Sequence, residues 1–93
     1  MLTREENELL SRVSAGSPMG ELMRRYWIPV NYSWEAEPDG QPIRVRILGE
    51  DLLAWRDTNG TPAFTQERCP HRGAGFYFGR NEEHGLRCAY HGW

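Results

Sequence analysis

CPHRGAGFYFGRNEEHGLRCAYHGW, residues 69–93, holds both cysteines and all three histidines of a 93-residue chain. Within it, Cys69-Pro-His71 and Cys88-Ala-Tyr-His91 read as C-x-H and C-x-x-H, with 16 residues between them. Thiolate and imidazole are soft to borderline ligands suited to zinc or iron, and four of them complete either one tetrahedral zinc or a two-metal centre. Classical zinc fingers group their cysteines and their histidines separately. Here each segment carries one of each and can reach two different metal atoms, which favours a two-iron centre over a structural Cys2His2 zinc module.

The remaining composition bounds the reading. Ninety-three residues make at most one domain, with a smaller share of buried surface than a typical one. The formal charge is −2, from 11 basic against 13 acidic residues. Those charges are scattered, so no basic stripe points to nucleic acid. No window approaches the run of about 18 apolar residues that spans a membrane, and the N-terminus MLTREENELLSRV has no apolar leader, so a cytoplasmic chain is expected. In such a chain two cysteines point to metal binding or redox chemistry before a structural disulfide.

Upstream of the ligand-rich stretch, Thr3 and Glu6 form a capping-box pattern ahead of Leu9, Leu10 and Val13, predicting a helix over about 4–13 that Gly16 ends. Ser17-Pro18 starts a second helix, with Pro29 as its far limit. From Pro42 the period becomes two: Ile43, Val45 and Ile47 predict a strand, Gly49-Glu50 a break, and residues 51–57 its hairpin partner. Asn59-Gly60 turns the chain into a third strand, Pro62 to Thr65. Glu-Pro-Asp-Gly at 37–40 reads as a linker. The expected class is mostly β, with short antiparallel strands behind two short N-terminal helices; the expected division is a helical segment 1–30 and a cluster-binding domain 31–93.

CPHRGAG and GLRCAYHGW resemble the two cluster loops of Rieske non-haem iron oxygenases. PMGELMRRYWIPV and VRILGEDLLAWRDTNG are similar to the start of large (α) subunits of the phthalate 4,5-dioxygenase type. The resemblance implies a Rieske [2Fe–2S] cluster, with Cys69 and Cys88 on one iron and His71 and His91 on the other. Neutral imidazoles in place of two thiolates make such a centre easier to reduce than an all-cysteine one. The implied role is one-electron transfer from a flavin/iron–sulfur reductase or ferredoxin toward a mononuclear Fe(II) held by two histidines and a carboxylate. With two of three histidines committed, only His84 remains, so that second site lies outside this sequence; the resemblance places it in a following catalytic domain. It also implies that the Rieske domain is truncated at its C-terminus and that the parent oxidoreductase is a homo-oligomer. A free-standing Rieske ferredoxin is the alternative, although such ferredoxins begin almost directly with strands.

Respiratory-chain Rieske proteins resemble the same pattern but carry a further disulfide-forming cysteine in each loop, where this chain has Ala74 and Tyr90. They also carry a serine where this chain has Trp93. Fewer donors to the sulfurs imply a potential near the lower end of the range of about −150 to +300 mV. His84 reads as a solvated turn residue, and the adjacent Glu82 and Glu83 as a turn, not an acid/base pair. Gly73, Gly75 and Gly79 miss the dinucleotide spacing and read as tight turns. Arg72 is balanced between a cluster or partner role and an ion pair with Glu67, Glu82 or Glu83. Tyr90 and Trp93 are expected to cover the cluster or to join the core, and Trp27, Trp34 and Trp55 to act as core or interface anchors.

Overall fold

A computed structural model describes residues 1–93. Its elements are helices α1 (Arg4–Ser11) and α2 (Pro18–Met23), a 3-10 turn at Ser33–Glu35, strands β1 (Ile43–Ile47), β2 (Glu50–Arg56) and β3 (Pro62–Gln66), a second 3-10 turn at Phe76–Phe78, and strands β4 (Arg80–Glu82) and β5 (Gly85–Arg87). The chain divides into two units, one of Met1–Val30 with Arg46–Glu50, the other of Asn31–Val45 with Asp51–Trp93.

In the first unit the expected capping box is present: Glu6 N–H donates to Thr3 Oγ1 at 3.2 Å and Thr3 N–H to the Glu6 carboxylate at 2.7 Å. The helix stops at Ser11, two residues early, because the Ser17 hydroxyl engages the chain just beyond it. That hydroxyl donates toward the carbonyls of Arg12 (2.9 Å) and Ser14 (2.6 Å) and accepts the Gly20 N–H at 3.2 Å as the cap of α2. α2 closes at Met23, short of the Pro29 limit, as the N–H groups of Arg25 and Tyr26 bond three residues back in tightened turns. α1 buries no residue, so these helices form no core of their own.

β2 lies between β1 and β3 in a three-stranded sheet whose hairpin end, Arg46–Glu50, belongs to the first unit, while β4 pairs with β5 antiparallel in a separate two-stranded sheet of the second unit. Half-buried Ile43, Val45 and Ile47 alternate with exposed Arg44 and Arg46, as their period of two predicts. The first hairpin turns on Leu48 and Gly49, both at positive φ (50° and 79°), so Glu50 belongs to β2 and not to the break. Asn59-Gly60 does turn the chain, but as a three-residue loop. Gly60 alone takes positive φ (85°), its N–H donates to the Asp57 carbonyl at 3.0 Å, and the Asp57 carboxylate accepts the N–H groups of Asn59 and Thr61.

The 37–40 stretch is tied down and is no free linker. Asp39 N–H donates to the Arg56 carbonyl at 3.2 Å, and the Arg56 guanidinium holds the carbonyls of Ser33, Ala36 and Gly60 at 2.8–3.0 Å. Asn81, in β4, is buried and donates its amide to the carbonyls of Gly40 (3.0 Å) and Arg56 (2.7 Å), joining the two sheets. The buried apolar residues are Ala36, Leu53, Ala54, Cys69 and Cys88, of which only Leu53 is a fully buried large side chain. The core therefore runs into the two cysteine-bearing loops.

Candidate metal centre

Two loops of the same internal geometry carry the four candidate ligands. In the first, Gly73 N–H donates to the Cys69 carbonyl (2.8 Å) and Cys69 N–H to the Ala74 carbonyl (2.8 Å). In the second, Gly92 N–H donates to the Cys88 carbonyl (2.9 Å) and Cys88 N–H to the Trp93 carbonyl. Each loop thus closes over four and five residues around a glycine at φ 74°. A left-handed residue is needed at that corner, where a side chain would be strained. The signal was legible as C-x-x-x-G in both loops, and Gly92 escaped the sequence reading. Gly75 and Gly79 lie at negative φ (−71° and −81°), so the left-handed turn is made by Gly73 alone. A Cβ on Gly79 would instead run into the Arg87 carbonyl of β5.

The first loop is anchored from below. Arg68 and Gly75 form an antiparallel bridge, Phe76 N–H donates to the Glu67 carbonyl at 2.9 Å, and the Arg68 guanidinium donates to the Gly73 carbonyl at 3.2 Å. Arg44 reaches across from β1, with Nε 3.1 Å from the Glu67 carboxylate and its guanidinium 4.0 Å from the centre of the Tyr77 ring. These anchors were not legible in the sequence, since Arg44 there is only an outward-facing residue of an alternating strand. The second loop follows β5 directly.

Cys69 and Cys88 are both buried and unbridged. The Cys88 thiol is held below its ordinary range, chiefly by the Tyr90 N–H, against desolvation that pushes it up; the Cys69 thiol and His91 N–H add to the lowering. The histidines form a second pair at the exposed loop tips, their ring centres 4.9 Å apart and nearly edge to face. Yet no three His, Cys, Asp or Glu side chains converge on one point. The candidate ligands thus fall into a buried cysteine pair and an exposed histidine pair.

Each histidine has an aromatic neighbour. Trp93, from the second loop, stacks almost parallel to His71 with centres 5.8 Å apart, and the Tyr90 ring lies 3.9 Å from that of His91. Both aromatics stay exposed (Trp93 61%, Tyr90 63%), so they flank the histidines and take no part in the core. Trp27 and Trp34 are exposed as well, Trp34 stacked 4.2 Å from Tyr32, while Trp55 is half-buried. His84 stands outside the site, in the exposed β4–β5 turn with Glu83, both at positive φ (69° and 49°). Glu82 and Glu83 pair with Arg87, and Arg72 takes none of the three carboxylates considered for it.

No helix is long and apolar enough to cross a membrane. Residues 26–93 match the family described as the Rieske [2Fe-2S] domain. The whole chain is 55% identical to the phthalate 4,5-dioxygenase oxygenase subunit of Pseudomonas putida, covering 21% of that protein. It is 52% identical to the 3-chlorobenzoate-3,4-dioxygenase oxygenase subunit of Comamonas testosteroni, again along the whole chain and over 22% of that protein. The 5,5'-dehydrodivanillate O-demethylase oxygenase subunit of a Sphingobium species is 47% identical, at the same 22% coverage. The chain thus spans about a fifth of the length of these relatives. With its mostly β fold and its paired cysteine and histidine loops, the chain belongs to the Rieske [2Fe–2S] domain family and serves one-electron transfer through that cofactor.

Proposed function

We propose that Cys69 and Cys88 hold one iron of the cluster and His71 and His91 the other, and that the site passes single electrons from a flavin/iron–sulfur reductase or ferredoxin toward a mononuclear Fe(II) in a ring-hydroxylating oxygenase. The carrying observation is the pairing of the candidate ligands: two buried, unbridged cysteines, and two exposed imidazoles with ring centres 4.9 Å apart. When bound, the cluster supplies a one-electron couple whose potential is raised by neutral imidazole ligation. The chain's own residues do the rest. The Tyr90 and His91 N–H groups donate to the Cys88 sulfur and stabilise its thiolate. Burial of both cysteines excludes water from the sulfur side, while the exposed histidines offer the edge at which an electron crosses. The domain reading is residues 31–93 for the cluster and 1–30 for a helical lead, within a homo-oligomeric parent. The relatives' names as oxygenase subunits support this role, and the absence of flanking cysteines at Ala74 and Tyr90 supports a potential near the lower end of the Rieske range.

Anaerobic reconstitution tests the reading. Two irons and two acid-labile sulfides per chain are expected, with nitrogen ligation visible by electron spin-echo spectroscopy. His71→Ala and His91→Ala should each reduce that signature to at most one nitrogen, the double variant should lose it, and His84→Ala should keep it in full. A colourless protein with one zinc and no sulfide would overturn the proposal.

A further inference from the structure

Residues 68–93 carry four arginines and two glutamates, although the chain as a whole bears a formal charge of −2. Both glutamates are neutralised by a single cation, Glu82 and Glu83 lying 3.5 and 3.1 Å from Arg87. Glu67, the carboxylate just ahead of the first loop, is 3.1 Å from Arg44. Arg72 follows the candidate ligand His71 directly and is exposed, with no carboxylate beside it. Arg68, also exposed, turns its guanidinium back onto the loop, 3.2 Å from the carbonyl of Gly73, the residue after Arg72. The first loop therefore holds two arginines with no carboxylate partner, Arg72 directly after exposed His71 and Arg68 against the Gly73 carbonyl, on an otherwise acidic chain.

We propose that Arg72, with Arg68 behind it, is the electrostatic docking point for an acidic one-electron donor protein at the histidine edge of the site. This inference rests on the cluster reading above. Opposed charges raise the encounter rate and orient the partner, and they act where the electron must cross. In the transfer the donor is oxidised by one electron and the cluster reduced by one, with no bond made or broken. Two thiolates leave an oxidised diferric centre formally neutral, and reduction adds one negative charge. An acidic donor is then held less tightly after transfer than before it, which favours its release.

The test uses the full chain carrying its reduced cluster, oxidised in a stopped-flow instrument by two outer-sphere probes of opposite charge. These are the trianion ferricyanide and the trication tris(phenanthroline)cobalt(III). Arg72→Glu is expected to slow oxidation by the anion and speed oxidation by the cation, each about five-fold at an ionic strength near 0.1 M, for charges roughly 10 Å apart. Both effects should fade near 1 M salt, where the Debye length falls to about 3 Å. Arg72→Gln should give changes of the same signs and about half the size on a logarithmic scale. The midpoint potential of each variant is measured by redox titration, because a change in driving force moves both probe rates in the same direction. Rates that move together, or do not move, overturn the docking role. A chain that takes up no cluster overturns the site reading and this inference with it, and iron and sulfide analysis reveals that before any probe is added.

Discussion

Asn81 joins the two sheets through one amide. Its nitrogen donates to two carbonyls, which fixes the amide's orientation and leaves Oδ1 buried without a donor. Asn81→Ala should cost about 1 kcal/mol, since the part-buried Gly40 carbonyl loses this donor, the Arg56 carbonyl keeps only the Asp39 N–H, and one unpaired oxygen disappears. Asn81→Asp should cost more, because it turns carboxylate oxygens toward those same carbonyls. Denaturant titration of the cluster-loaded chain checks both, and an Asp variant as stable as the native chain would refute the assignment. In the sequence this residue is one polar letter in Arg-Asn-Glu-Glu. Its role depends on Gly40 and Arg56, which no local pattern brings together with it. The ligands are a different case: two cysteines and two histidines in C-x-H and C-x-x-H stand out by type and order before any fold is known.

At the level of elements, the β4–β5 hairpin turns on Glu83 and His84, both at positive φ, where neither residue is at ease. The double change Glu83→Asn with His84→Gly places a favoured primed-turn pair there and should stabilise the chain by about 1 kcal/mol. The lost Glu83–Arg87 pair is 80% exposed on the glutamate side and offsets little of that gain. A thermal melt of the loaded protein reads the effect, and an unchanged visible spectrum would show that His84 holds no iron. The strands themselves were readable from alternation, and the capping box from Thr3 and Glu6. What alternation did not settle was the turn chemistry: Leu48, a residue ill suited to positive φ, takes the corner that Gly49-Glu50 was expected to make. The helices end early for a related reason. The Ser17 hydroxyl is a tertiary brace, and a linear pattern records the cap but not the two carbonyls it also serves.

For the molecule as a whole, two of the five buried apolar residues are the candidate ligand cysteines. A core that depends on its ligands couples folding to cofactor binding. Removal of the cluster by chelation and reduction should therefore lower the melting temperature by about 10–20 °C, corresponding to roughly 2–3 kcal/mol in a chain this size. Calorimetry of loaded and stripped protein checks this, and identical melts would separate cluster binding from folding. The loss should be greatest in the second loop, which has no anchor equivalent to Arg44 or Arg68.

The sequence by itself determined the chemistry: which atoms are soft donors, in what order they occur, and that strands surround them, because ligand type and a period of two are local properties. Only the tertiary structure decided how those donors divide. Folding buries both cysteines, leaves both imidazoles at the surface with ring centres 4.9 Å apart, and assigns every nearby glutamate to an arginine other than Arg72. Burial, pairing and charge compensation are set by residues far apart in the chain, and so they exist only once the chain is folded.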